Sequence, residues 1–219
     1  MIFNSQSGIT DNSRAADWDV WYLEHLRIMA TVPGVSSAQR FKTDTPGASP
    51  SLAIYSVTSA DVFKDPYYLS VRGMGEWLAL IDRRYYKRNL FSGLDYAPHV
   101  AETQCMLVAD RDRPEGALGG IEFTWLKCEG IDRSTPYRGL AVVDTDKVPA
   151  FDATIAVYRP ASPRMTPPGD EKWNLRLLYS PQCWRWWRPM LRRKPGPPNR
   201  SAGSSVFRPA AAPMCCRGC

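Results

Sequence analysis

The chain has 219 residues, of which 44% are hydrophobic and 11% aromatic, the composition of a protein with a sizeable buried core rather than of a disordered one. Its net charge of +6 is unevenly placed: residues 1–163 carry 17 Lys+Arg against 20 Asp+Glu, and residues 164–219 carry 11 against 2. The acidic body argues against a nucleic-acid face, and no apolar run approaches the ~18 residues of a membrane span.

The N-terminus, MIFNSQSGITDNS, lacks a basic stretch followed by an apolar one, so no signal peptide is read there and a cytoplasmic location is expected. Residues 2–10 predict a short, polar first strand. DWDVWYLEHLRIMA (17–30) predicts a helix, capped by Asp17 or Ser13 and stopped at Pro33-Gly34. On that helix Trp18, Trp21, Tyr22, His25, Leu26, Ile28 and Met29 share an arc of roughly 160°. VSSAQRFK (35–42) and SLAIYSV (51–57) predict strands, joined across the turn TDTPGASP into a hairpin.

Ser59 can cap a second helical segment, and Asp65-Pro66 restarts it through YYLSVRG, with EWLALIDR adding a further turn. YYKRNLF (85–91) reads as a returning strand, completing β-α-β-β-α-β, the split βαβ of a ferredoxin-like unit. The order then begins again. QCMLVAD (104–110) is a strand, Leu118 to Glu129 a helix, DRSTPYRGLAVVD (132–144) a loop and strand, and ATIAVYRPA (153–161) the last strand. The expected fold is therefore α+β: a ferredoxin-like half over 1–98, a shorter one over 99–163, and a basic tail over 164–219 whose Pro-rich part is disordered. The tail holds four of the eight tryptophans. It reads either as a surface that adsorbs to anionic membranes or single strands, or as an unselected extension.

WYLEHL (21–26), VPGV (32–35), QRF (39–41) and SLAIYSV (51–57) together resemble the EthD-like branch of the dimeric α+β barrel superfamily, and DPYYL (65–69) resembles its second helix. The resemblance implies two sheets closing into a dimeric-α/β-barrel-type architecture, within one chain or across a homodimer. It also implies a small-molecule pocket between helices and sheet. The superfamily includes isomerases, polyketide cyclases, cofactor-free monooxygenases and haem-degrading enzymes.

The candidate catalytic residues are His25, Tyr22 and Arg40, with Trp18, Trp21, Met29 and Tyr55 contacting a flat aromatic or polyketide-like substrate. His25 would move a proton, since imidazole titrates near neutrality, while Arg40 or Tyr55 steadies an oxyanion. Each has a plainer alternative: a core histidine, packed aromatics, a surface arginine. A titrating His25 favours chemistry, and a silent buried one favours packing or binding alone, as in a non-catalytic ligand-binding or stress-response protein. No nucleotide motif and no metal-ligand spacing is present, so neither metal nor cofactor is expected. Cys105 and Cys128 read as small buried hydrophobes.

Overall fold

The computed structural model describes residues 1–150 and 154–168. Eight strands form one closed antiparallel barrel: β1 (Ile2–Ser7), β2 (Val35–Lys42), β3 (Ser51–Val57), β4 (Lys87–Ser92), β5 (Gln104–Arg111), β6 (Thr124–Ile131), β7 (Tyr137–Asp144) and β8 (Ile155–Pro160). Their order around the barrel is β1-β3-β2-β8-β5-β7-β6-β4. Helix α1 (Ala15–Ala30) crosses the outside of the first four strands, and the short α2 (Pro66–Val71) lies at its edge.

The expectation of two tandem ferredoxin-like α+β units, a dimeric-α/β-barrel-type architecture, is therefore corrected to a single closed β-barrel with few helices. The decisive difference lies between β5 and β6, where a helix over 118–129 was expected. Gly119 and Gly120 adopt φ of +58° and +79°, which no helix continues, and Leu118 instead pairs with Ile121 across a tight turn. Phe123 then leads into β6, whose first residues, the β-branched Thr124 and the aromatic Trp125, pair with β7. Among the described residues of the second half, only the 3-10 turn Thr145–Lys147 is helical.

Other elements match the sequence closely. The hairpin β2–β3 has the expected bounds, and Ser59 and Asp65 cap the 3-10 turn Ala60–Lys64 and α2 through Asp61 N–H and Tyr67 and Tyr68 N–H. The cap of the first helix differs: Asp11 caps a preceding 3-10 turn, Asn12–Arg14, which runs into α1. β1 is not marginal. All six of its residues are buried, because it lies between β3 and β4 and pairs on both edges.

Side chains alternate in and out along each strand. Ile2, Phe41, Leu52, Ile54, Phe91, Met106, Leu126, Leu140 and Tyr158 fill the barrel interior, which eight strands leave just wide enough for side chains. The outward set Phe3, Ala38, Ala53, Tyr55, Val57 and Leu90 meets Trp18, Tyr22, Leu26 and Met29 of α1. The barrel closes between β4 and β6 and, more briefly, between β2 and β8, where only Phe41↔Pro160 and Lys42↔Arg159 pair. Beyond β8, Met165 exchanges two backbone hydrogen bonds with Ala38, and Arg164 donates to Ala97 O and Ser37 Oγ. The tail from residue 169 onward, including four tryptophans and four cysteines, lies outside the described residues.

Candidate functional site

Period-2 alternation puts Phe3 and Ser5 of β1, Tyr55 of β3 and Arg88 of β4 on the outer face of the sheet, beneath α1. A helical spacing of three and four residues brings Tyr22, His25 and Met29 down onto that face. Between them is a cavity of about 300 Å³, walled on its remaining sides by Tyr68, Arg72, Gly73, Met74 and Tyr86.

His25 lies parallel to Trp21, ring centroids 4.9 Å apart and planes 9° apart, and meets Tyr22 edge-on at 6.0 Å. It has no hydrogen-bond or charge partner among the described residues, and burial pushes its pKa down to about 4. At neutral pH the ring is uncharged. The phenols move the other way. Burial raises the pKa of Tyr22, against the nearby Arg40 charge and the Ser7 and Ser5 hydroxyls, and raises that of Tyr55 well above its usual value. Tyr68 is raised by burial too, opposed by the Arg72 and Arg88 guanidiniums. All three therefore stay protonated and can donate hydrogen bonds.

Of the residues singled out in the sequence, Tyr22, His25, Met29 and Tyr55 come together around this cavity. Trp21 backs His25 from behind. Trp18 and Arg40 form a separate cluster. Arg40, 2% exposed, donates from Nη1 to Asp19 Oδ1 at 2.9 Å and from Nε to Ser51 Oγ at 2.8 Å. Its guanidinium lies 4.7 Å from the Trp18 ring and 4.2 Å from the Tyr22 ring. It thus clamps β2 to α1 and does not line the cavity. Arg40 and Tyr55 do not oppose one another either: Arg40 pairs with Ala53, and Tyr55 with Ala38.

The sequence reading missed Phe3, Ser5, Tyr68, Arg72, Met74, Tyr86 and Arg88. Tyr86, Arg88 and Leu90 alternate along the predicted strand 85–91, so its outward face was there to be read.

A larger concavity, about 630 Å³, opens at one end of the barrel between Gln6, Ser49, Lys87, Asp110, Arg111 and Tyr158. Behind this lining, the buried Arg138 donates from Nε and Nη2 to the two oxygens of the half-exposed Asp110, both at 2.7 Å, and from Nη2 to Gln6 Oε1 at 2.8 Å. That network is satisfied within itself. The smaller cavity under α1 is the candidate functional site, because three phenols with raised pKa values and a histidine with a lowered one meet there on apolar walls, against the single raised phenol of Tyr158 in the larger concavity.

No protein-family model and no curated protein matches the sequence. No match thus supports the EthD-like resemblance, which the closed barrel leaves without its expected fold. Among the described residues, no three His, Cys, Asp or Glu side chains converge as metal ligands would, and no helix is long and apolar enough to cross a membrane.

Proposed function

We propose that the cavity under α1 holds a small molecule bearing a carbonyl, enol or phenol oxygen, and that the protein acts as a binder of that ligand. The carrying observation is the convergence of three protonated phenols, Tyr22, Tyr55 and Tyr68, with the uncharged His25 on one cavity. The phenols are donors and the imidazole offers one acceptor nitrogen, so the site reads both faces of an oxygen function. Phe3, Met29 and Met74 supply the apolar walls.

The test is a thermal-shift and NMR screen of phenols and carboxylic acids against the full chain and a Met29→Trp variant, which fills the cavity. A compound that raises the melting temperature of the parent alone supports the reading. Stabilisation of both equally places the ligand elsewhere.

A second reading, proton transfer of the isomerase, cyclase or cofactor-free oxygenase kind, is favoured by the uncharged state of His25. A neutral imidazole beside phenol donors can accept a proton from a bound enol or phenol while Tyr55 holds the developing oxyanion. Its pKa of about 4 makes it a weak base, which is why plain binding comes first. Turnover whose rate falls only below about pH 4, and disappears in His25→Ala, would reverse that order.

A further inference from the structure

Two arginines stand at the mouth of this cavity and are not used by the donor set just described. Arg88, on the outward face of β4, donates its main-chain N–H to Asp132 Oδ2 at 2.7 Å and reaches Oδ1 from Nη2 at 3.3 Å. Its guanidinium lies 5.4 Å from the Tyr86 ring. Its Nε, buried, has no hydrogen-bond partner among the described residues. Buried donors are ordinarily paired, so an orphan on a cavity wall marks a place where a ligand acceptor belongs. Arg72, at the end of α2, is exposed and makes no ion pair or hydrogen bond through its side chain among the described residues.

Both arginines line the cavity together with Tyr68. None of the twelve lining residues is acidic. Asp132 balances one of the two positive charges, and the other has no counter-charge. The wall therefore has room for one negative charge and offers planar donors to receive it.

We infer that the ligand of this cavity is a monoanionic carboxylic acid, its carboxylate against Arg88 Nε and Arg72 and its body directed toward Tyr55 and His25. The inference rests on the cavity being a ligand site. A dianionic phosphate would exceed the single uncompensated charge, and a neutral ligand, although its oxygen could pair Arg88 Nε, would leave that charge without a counter-charge.

The experiment uses matched acids and amides: benzoate and benzamide, 4-hydroxybenzoate and 4-hydroxybenzamide, octanoate and octanamide. Each is titrated at pH 7 into the full chain, Arg72→Gln, Arg88→Gln and Met29→Trp, with melting temperatures recorded for all four. The expected result is that at least one acid binds the parent tenfold or more tightly than its amide. Arg72→Gln, in which no internal bond is lost, should erase most of that preference without lowering the melting temperature. Acid and amide binding equally well, both blocked by Met29→Trp, overturns the carboxylate inference and leaves the cavity reading standing. A preference that survives in both arginine variants also overturns it. If no compound binds the parent, or binding is indifferent to Met29→Trp, the cavity reading falls and the inference with it.

Discussion

The imidazole of His25 rests flat against the indole of Trp21, 4.9 Å between ring centroids, and among the described residues neither ring nitrogen has a hydrogen-bond partner. Because the folded pKa of about 4 lies below the ordinary histidine value of 6.5, the unfolded chain binds the proton more readily. The contribution of His25 to stability is then complete above pH 6.5 and is lost as the pH falls toward 4, with no further loss below. The size is about 3 kcal/mol for a shift of this extent. Urea denaturation of the parent and His25→Phe at several pH values checks it. The difference between the two should slope between pH 6.5 and 4 and be flat outside that window.

Arg40 and Asp19 make an unequal pair, the guanidinium side chain 2% exposed and the carboxylate 41%. Asp19→Ala strands a buried cation and should cost about 3 kcal/mol. Arg40→Met leaves an exposed carboxylate that Lys42 still contacts, and should cost only about 1–2 kcal/mol. Equal losses on chemical denaturation, or a larger one for Arg40→Met, would refute this account of the clamp.

Gly34, in the turn after α1, has φ of +84°, and a Cβ there would come within 2.6 Å of Val62 Cγ2 and 2.7 Å of Thr58 Oγ1. Gly47 has a similar φ of +80° but open space around it. Gly47→Ala should cost about 1 kcal/mol of backbone strain, and Gly34→Ala that strain plus roughly 1–3 kcal/mol of overcrowding. Comparing the two melting curves isolates the crowding.

A chain ending at Pro163 would lose the bridge between Met165 and Ala38 and both Arg164 contacts, whereas one ending at Pro168 keeps them. The shorter chain should be less stable by about 1–3 kcal/mol, a few net hydrogen bonds. Coincident unfolding curves would mean that the bridge contributes nothing.

Much of the first half was legible because local signals there agree with long-range ones. Trp18, Tyr22, Leu26 and Met29 recur at helical spacing and are buried, and the hairpin strands, buried on both faces, have the bounds their β-branched and aromatic residues predict. The second half is legible mainly by element order, and the Gly119-Gly120 pair that breaks the helix expected over 118–129 is the local signal that reading passes over. Closure of the barrel leaves no trace in any window of sequence, since it depends on pairing between strands far apart. The site was half legible for the same reason. Tyr22, His25 and Met29 follow from one helix, but Arg88 and Tyr68 join them only through the fold, and Arg40 is drawn away by Asp19.

The short seam between β2 and β8 has two paired residues where β5 and β7 have eight, and hydroxyls make up part of the deficit. Thr43 Oγ1 donates to Val157 O, Thr45 Oγ1 accepts from Val157 N–H, and Ser162 Oγ accepts from Arg40 N–H. The two edges meet across more than half the chain, so this joint carries the largest loop-closure cost and the fewest ladder bonds to offset it. It is the zip of the barrel: the last part to fasten during folding, and the first whose amides exchange with solvent when the native state breathes.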